Sequence, residues 1–322
     1  MTTDHTAFQH LPVLPAEVAE QLALPVDRPA RLIDCTVGGG GHSAALLERA
    51  PKLELLGIDR DPDALAAAAR RLAFAKNRVT LCHGRFSEFP RLAGEIGWEL
   101  VDGILFDLGV SSPQIDRPER GFSWRFPAAL DMRMDPSQPL TAARLLNQRG
   151  EEELETIFRE YGEINGARQL ARAIVARRAE HPFGGTAELV ALCDQVLRKP
   201  RPGAPPSPTL VFQALRIAVN DELGEIERAL EEVPAHLKSG ARFAVISFHS
   251  QEDRIVKNFF RRESSGCLCP PGLPVCRCGH RPSLRIVTRK PLTAGAGELR
   301  ENRRAACAKL RVDERLPEPV EQ

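Results

Sequence analysis

Over the first third of the chain, short apolar runs alternate with segments of helical periodicity. Residues 63–75 are rich in alanine, contain neither proline nor glycine, and follow Asp61-Pro62, which predicts a helix with an aspartate cap. Strand patterns that alternate with helices predict right-handed crossovers and a parallel sheet. The predicted strands are residues 31–35, 53–58, 79–83 and 103–107, and another helix is predicted at residues 42–50.

The pattern changes after the fourth predicted strand. From about residue 112 to 208 only loops and helical segments are visible, and a strand pattern resumes near residue 241. The economical interpretation is a discontinuous α/β domain, residues 1–111 and 209–322, interrupted by a helical insertion at residues 112–208. The remaining predicted elements are helices at 151–161, 167–179, 187–197, 209–230 and 252–262, a strand at 241–248, and an antiparallel pair at 284–288 and 309–312.

Composition narrows the class of protein without indicating a function. The 322 residues are 43% hydrophobic, which suffices for one large domain or two smaller ones. No stretch approaches the roughly 18 apolar residues of a membrane span, and the polar first residues lack a signal-peptide run. The eight cysteines show no regular disulfide framework. We therefore expect a cytoplasmic protein without membrane contact, of unknown oligomeric state.

A glycine-rich turn lies between the first predicted strand and the next helix, at residues 34–42 (DCTVGGGGH). Such turns let a ligand approach the backbone closely at a helix N-terminus. The dinucleotide pattern G-x-G-x-x-G/A fits from Gly39 to Ala44 and is weak evidence alone. Asp34 is more informative, because D-x-T-x-G-x-G resembles the first motif of class I methyltransferases. This resemblance implies a Rossmann-like, mostly parallel sheet and S-adenosyl-L-methionine as cofactor.

Three further residues at or after the ends of predicted strands suit a nucleotide site, because parallel α/β sheets bind ligands at the carboxyl ends of their strands. Asp59 ends the second strand, where a carboxylate can accept both ribose hydroxyls of an adenosine, as it also does in NAD enzymes. Phe86 follows the third strand and either lies against the adenine or packs in the core. Asp107 closes the apolar fourth strand, which favours a site residue over a turn residue.

Longer motifs extend from about residue 10 to residue 311. They are residues 10–14 (HLPVL), 57–62 (GIDRDP), 107–114 (DLGVSSPQ), 120–123 (RGFS), 130–135 (LDMRMD), 212–217 (FQALRI) and 247–254 (SFHSQEDR). Together they resemble the RsmH (MraW) family of ribosomal RNA methyltransferases. The resemblance implies N4-methylation of cytidine 1402, in the decoding region of 16S rRNA, with the small ribosomal subunit as partner. It also implies cofactor contacts from Gly40, Gly41, His42, Asp59, Phe86, Asp107 and Gln114.

The exocyclic amine of cytosine is a poor nucleophile, because its lone pair is delocalised into the ring. A hydrogen-bond acceptor beside the amine favours an attacking geometry and accepts the developing positive charge. We hypothesise that Asp107 or the Ser111-Ser112 turn is this acceptor. His249 ends a later predicted strand and either faces the cleft or is a hydrogen-bonded loop histidine.

Three competing functions are weaker. Methylation at C5 of cytosine requires a cysteine nucleophile near the fourth strand, and no cysteine lies between Cys82 and Cys193. An NAD-dependent oxidoreductase would explain the glycines and Asp59 but not the later motifs. A ribosome-assembly or RNA-binding protein with only secondary catalysis is disfavoured by the intact cofactor motifs.

Two basic segments predict contact with rRNA. Residues 281–311 hold nine lysines and arginines against two glutamates. The second segment, in the insertion, comprises Arg168, Arg172, Arg177 and Arg178. Either segment alone is typical of a solvated face, but because the net charge of the chain is only +1, the two together indicate polarised surfaces.

Four cysteines lie close together in the C-terminal part of the chain, in the pattern C-x-C…C-x-C with His280 nearby. They can supply zinc ligands, although C-x-C is less diagnostic than C-x₂-C. The alternative is a set of reduced thiols in a proline-rich loop. We attach no metal to catalysis. The cysteines are Cys267, Cys269, Cys276 and Cys278.

Overall fold

A computed structural model describes residues 12–199, 201–203, 205–270, 273 and 275–317. His10, in the first of the motifs, lies outside these residues. The strands are β1 (Ala30–Asp34), β2 (Leu53–Asp59), β3 (Val79–His83), β4 (Val101–Asp107), β5 (Leu237–Ser247), β6 (Leu284–Ile286) and β7 (Lys309–Arg315). The α-helices are α1 (Pro15–Leu22), α2 (Gly41–Arg49), α3 (Pro62–Arg71), α4 (Phe89–Glu95), α5 (Ser112–Asp116), α6 (Ala142–Gln148), α7 (Glu151–Glu160), α8 (Ala167–Glu180), α9 (Thr186–Val196), α10 (Ser207–Asn220), α11 (Glu222–His236), α12 (Ser250–Glu263) and α13 (Ala296–Glu301). Short 3₁₀ helices cover Ala73–Arg78, Phe86–Glu88, Pro118–Arg120 and Arg303–Cys307.

The strands form one sheet in the order β3-β2-β1-β4-β5-β7-β6. β1 to β5 run parallel, and β7 is antiparallel to both of its neighbours. The mostly parallel α/β sheet and its antiparallel edge pair are therefore confirmed. Because β1 lies between β2 and β4, the strand order reverses there, and α/β sheets bind ligands beyond the carboxyl ends of strands at such a point. We call the edge at which β1 to β5 end the carboxyl edge.

Both faces of the sheet are covered, which explains why β1, β2 and β4 read as nearly continuous apolar runs. Leu32 and Leu55 pack with apolar residues of α1, α2 and α3 on one face. Ile33 and Leu56 alternate with them and pack with residues of α4, α11 and α12 on the other face. No described helix is long and apolar enough to cross a membrane.

The chain divides into two compact units, residues 1–109 with 223–322, and residues 110–222. The second unit has its own core, to which α6 to α10 contribute. It includes α10, whereas the sequence prediction places residues 209–222 in the α/β domain. The physical reason is that Val211, Phe212 and Leu215 of α10 are buried in the core of the second unit.

The single helix predicted at residues 209–230 is wrong. The structure has two helices there, because Asp221 adopts a left-handed backbone conformation with φ of 50° and ends α10. Asn220, the last residue of α10, is buried, and its side chain donates to the carbonyl of Met132 and accepts from the backbone N of Met134. Helical periodicity cannot predict these hydrogen bonds to the distant loop that contains Met132 and Met134.

Asp313 on β7 is a buried carboxyl group whose loss of solvent is not compensated by hydrogen bonds from the described residues. Its exposure is 0%, and neither carboxylate oxygen has a hydrogen-bond partner among the described residues. It pairs in register with Phe243, and burial raises its pKa to about 7 against the opposing effect of Arg311. An ionised group at this position opposes folding.

We expect Asp313→Asn to raise the unfolding temperature at pH 8 and to change it little at pH 4. The carboxyl pKa is 3.8 for the unfolded reference and about 7 in the fold. The folded wild type therefore binds more protons between these values, and it loses up to about 4 kcal/mol of stability as pH rises through them. Thermal melts of both proteins at pH 4, 6 and 8 check this. The same difference in unfolding temperature at all three pH values would contradict it.

Candidate active site

The glycine turn joins β1 to α2 in a conformation that requires glycine. Gly38 and Gly40 have φ of 52° and 78°, in the left-handed region that side chains disfavour. A Cβ on Gly40 would lie 3.2 Å from Cγ of Leu72, and one on Gly41 would lie 3.2 Å from the ring of Pro12. The turn is therefore packed from both sides, and its backbone amides stand at the N-terminus of α2.

Asp34, the last residue of β1, stabilises this turn through hydrogen bonds. It is only 2% exposed, and it accepts hydrogen bonds from the Ser43 hydroxyl at 2.6 Å and the Thr36 backbone N at 3.2 Å. Burial raises its pKa to about 6, although both hydrogen bonds oppose the shift. Asp34 thus ties the end of β1 to the first turn of α2.

His42 and Asp107 form the centre of the site on the first unit. Nε2 of His42 lies 3.6 Å from Oδ2 of Asp107, and the Asp107 backbone N donates to Oγ1 of Thr36 at 2.6 Å. Oδ1 of Asp107 and both ring nitrogens of His42 are buried and have no hydrogen-bond partner among the described residues. Buried polar atoms are nearly always satisfied, so these atoms indicate a place for a polar ligand.

Asp59 lies at the end of β2 and supports the same turn. Oδ2 accepts from the Gly38 backbone N at 2.8 Å, and Oδ1 accepts from the Asp61 backbone N at 2.9 Å. Burial raises the pKa of Asp59 to about 6, because it outweighs these two hydrogen bonds. The side chain is partly exposed, and each oxygen of a carboxylate can accept a second hydrogen bond. Asp59 can therefore hold the turn and accept ribose hydroxyls together.

Phe86 is half-buried at the end of β3. Its ring centroid lies 5.5 Å from that of Phe106, and the Arg60 guanidinium carbon lies 5.8 Å from the same ring. The phenyl group therefore does pack at the margin of the core, as the simpler sequence interpretation expects. Its partial exposure near the carboxyl edge also suits stacking on an adenine, which stays a prediction.

His249 follows β5 and is the N-cap residue of α12, one strand away from Asp107. Nε2 of His249 lies 3.0 Å from Oε1 of Glu252, without hydrogen-bond geometry. Glu252 is fully buried and accepts from the backbone N atoms of Phe248 and His249. Sequence reasoning missed Glu252 as the group that holds His249, although glutamate three residues after a helix cap is a signal for such a bond.

Ser111, Ser112 and Gln114 belong to the second unit, at the start of α5. Oε1 of Gln114 accepts from the Ser111 backbone N at 3.0 Å, so this side chain caps the helix. The predicted roles of the three residues in catalysis and cofactor binding stay predictions.

A long-range hydrogen bond supports the segment that packs on the glycine turn, and no sequence pattern predicts it. Leu14 has a left-handed backbone with φ of 54°, and its N donates to Oε1 of Glu298 at 2.7 Å. This contact links the segment around Pro12, which packs on Gly41, to α13 near the other end of the chain. A contact over such a separation leaves no trace in local patterns.

Comparisons with known proteins bear on the identity of this site. The family model described as "MraW methylase family" matches residues 7–316. Ribosomal RNA small subunit methyltransferase H of Heliobacterium modesticaldum is 49% identical, over 96% of this chain and 99% of the relative. The protein of that name from Carboxydothermus hydrogenoformans is 47% identical, over 96% and 98%.

Two solved structures are more distant. A putative rRNA-methylase from Clostridium thermocellum has a TM-score of 0.44 and 12% identity, and the match covers 96% of this chain and all of that one. A putative methyltransferase from Streptococcus mutans in complex with SAH has a TM-score of 0.42 and 13% identity, with coverage of 94% and 98%. Family membership rests on the sequence matches alone.

The residues at the carboxyl edge fit the methyl donor of such enzymes. The glycine turn offers backbone amides, Asp59 offers acceptors for ribose hydroxyls, and the unsatisfied atoms of His42 and Asp107 offer further polar contacts. The predicted cofactor contacts from Gly40, Gly41, His42, Asp59 and Asp107 therefore lie around one turn at the β1–β4 switch point. The chain belongs to the MraW methylase family and is an S-adenosyl-L-methionine-dependent methyltransferase.

Proposed function

We propose that this enzyme methylates N4 of a cytidine, position 1402, in the decoding region of 16S rRNA within the small subunit. Its curated relatives carry the name of a small-subunit rRNA methyltransferase. The structural observation that supports the proposal most is Asp107, whose Oδ1 is buried without a partner at the end of β4. An acceptor held there suits an exocyclic amine, which needs orientation more than a strong base.

Asp107 accepts a hydrogen bond from the N4 amine in this mechanism. The bound cofactor supplies an electrophilic methyl group on a sulfonium. Orientation of two reactants contributes on the order of 7–11 kcal/mol to lowering a barrier. When N4 bonds to the methyl group, the carbon–sulfur bond of the cofactor would break and leave a neutral thioether, and the Asp107 carboxylate would stabilise the positive charge on N4 until its proton passes to solvent. The backbone hydrogen bond from Asp107 to Thr36 fixes the residue during this step.

His249 is a second candidate to face the base. Its side chain is 13% exposed and its ring lies against the buried Glu252, so its orientation is restrained. A cytosine must be single-stranded or flipped out of its stack before its amine is accessible. We propose that His249 positions the base, while Ser111 or Ser112 is the acceptor if Asp107 is not.

Some of the basic residues in the two segments support the fold, whereas others are exposed. Lys309 and Arg311 bind Asp253, and Arg285 binds Glu314. In the insertion, Arg178 donates to the carbonyls of Leu146 and Arg149. Arg177 donates to the carbonyl of His181 and lies over the ring of Phe183.

The remaining basic residues are exposed. Within the described part of the chain, Arg289, Lys290 and Arg303 are exposed and form no ion pair. Arg168 and Arg172 are exposed on α8, and Arg172 lies 3.6 Å from Glu151.

Arg303 lies at the carboxyl edge of the sheet. The 3₁₀ helix Arg303–Cys307 directly precedes β7, whose first residue, Lys309, pairs with Ser247 at the carboxyl end of β5. Arg289 and Lys290 precede Leu292, which bridges Leu310 at the same end of β7. These exposed charges therefore stand at the carboxyl edge, where an RNA phosphate backbone would approach the site.

We expect Arg303→Glu to weaken binding to the small subunit roughly 5- to 10-fold and to lower its salt dependence by about one. Cofactor affinity is expected to stay unchanged. Lys76→Glu is the matched control, since Lys76 is exposed but precedes β3 at the opposite edge of the sheet. Binding titrations at several salt concentrations check this. Equal losses in both variants, or no loss in Arg303→Glu, would contradict the proposed RNA surface.

Transfer of labelled methyl groups tests the substrate class. Small subunits, free 16S rRNA, large subunits and tRNA are prepared from a strain that lacks this gene, so that the target is unmodified. Label is expected in the small subunit or its 16S rRNA and not in the other two. Incorporation into large subunits or tRNA alone would overturn the proposed substrate.

A further inference from the structure

The described residues of the segment between α12 and β6, which we call the cysteine loop, form no core of their own. Its ends are joined, because Ser283 N donates to the carbonyl of Glu263 at 2.9 Å and its hydroxyl to Oε2 of Glu263. Between these two residues, none of the described residues is buried. Leu268 and Val275 are 45% and 69% exposed. Hydrophobic burial therefore does not account for the folded conformation of this loop.

Four thiols converge in this loop. All their Sγ atoms lie within 4.8 Å of one another. The Sγ distances from Cys276 are 3.4 Å to Cys267, 4.0 Å to Cys269 and 3.5 Å to Cys278, and that between Cys267 and Cys278 is 3.8 Å. Four sulfurs about 2.3 Å from one tetrahedral metal ion stand about 3.8 Å apart, which is the arrangement seen here.

Backbone amides also point at these sulfurs. Leu268 N lies 3.3 Å from Sγ of Cys278, Cys269 N lies 3.4 Å from Sγ of Cys267, and Arg277 N lies 3.3 Å from Sγ of Cys269. Such donors stabilise the negative charge of thiolate ligands and orient them. His280 is not part of the cluster, since its Nε2 lies 3.0 Å from the Arg262 carbonyl.

We propose that Cys267, Cys269, Cys276 and Cys278 bind one zinc ion in a closed tetrathiolate site. Coordination of the ion stabilises the loop in place of a hydrophobic core. Because all four ligands come from the protein, the ion has no open position for catalysis. Each thiol loses its proton to solvent when it binds. A polynuclear iron–sulfur cluster fits less well, because its cysteines bind different iron atoms and stand farther apart. Disulfides fit less well too, since the sulfur separations far exceed a bonded 2.05 Å.

Metal analysis of protein purified without chelator tests this site. About one zinc per chain is expected in the wild type and in Cys307→Ser, a control that removes an exposed cysteine outside the cluster. Cys276→Ser is expected to retain less than about a tenth of the zinc. Folded wild type with less than about a tenth of an equivalent, or with stoichiometric iron in its place, would overturn the proposal.

The reactivity of the loop thiols in the wild type provides a second test, which does not depend on whether Cys276→Ser folds. The four loop thiols are expected to react slowly with a thiol reagent and to become reactive when a strong chelator removes the metal. The circular-dichroism signal of the α/β unit is expected to persist, because none of the loop's described residues belongs to either of the two cores of that unit. Four thiols that react fast before chelation, or a mass showing two disulfides, would contradict zinc binding.

Discussion

Asp107→Asn is expected to lower kcat for methyl transfer by about 10²–10³-fold, the size of effect seen when one preorganised electrostatic contact is removed. Asparagine keeps the shape of the side chain and the backbone bond to Thr36 but removes the charge that stabilises a positive N4. Cofactor affinity is expected to fall far less than kcat, because Asp107 is only one of the predicted cofactor contacts and Asp59 and the glycine turn stay intact. Single-turnover kinetics with small subunits, together with calorimetric titration of the cofactor, separate these quantities.

The matched control for this substitution is Asp194→Asn, which removes one carboxylate from the exposed face of α9. It is expected to leave both kcat and cofactor affinity unchanged. Full turnover of Asp107→Asn with intact cofactor binding would exclude Asp107 as the acceptor. Ser111→Ala and Ser112→Ala would then be the variants to compare.

Gly40→Ala is expected to weaken cofactor binding by at least about 10-fold. A left-handed conformation costs a residue with a side chain roughly 1–2 kcal/mol. Here the added Cβ also meets Cγ of Leu72 at 3.2 Å, so the buried Leu72 or the turn must give by a few tenths of an ångström. A shift of the turn displaces the amides at the start of α2 and the Gly38 N that binds Asp59. Calorimetric titration measures the loss of affinity.

Gly97→Ala separates backbone strain from damage to the site. Gly97 has φ of 74°, close to that of Gly40, but a Cβ there meets no atom within 4 Å. Both variants are expected to lower the unfolding temperature, and only Gly40→Ala to weaken cofactor binding. Unchanged cofactor affinity in Gly40→Ala would show that the turn does not form the cofactor site.

The parts of the fold that local patterns predict are those in which each residue's environment repeats along the chain. β1, β2 and β4 are largely buried and so form nearly continuous apolar runs, and α3 has both its aspartate cap and a proline start. The break at Asp221 was not predicted, because it depends on the contacts of Asn220 with residues more than eighty positions away.

The same distinction holds at the site. Asp59 and Asp107 were found because each closes an apolar strand, which is a local feature. The role of Ser43 depends on which polar atoms face it across the turn, and the link from Leu14 to Glu298 spans most of the chain. Residues that position others are therefore harder to predict than residues that stand at strand ends.

The most direct test of the central claim is the identity of the methylated nucleoside. Small subunits that lack the modification are incubated with the enzyme and the cofactor, and their 16S rRNA is digested to nucleosides and analysed by mass spectrometry against standards. We predict N4-methylcytidine with the wild-type enzyme, from a fragment of the decoding region, and almost none with Asp107→Asn. 5-Methylcytidine, or no methylated cytidine on any maturation intermediate, would contradict the proposed function.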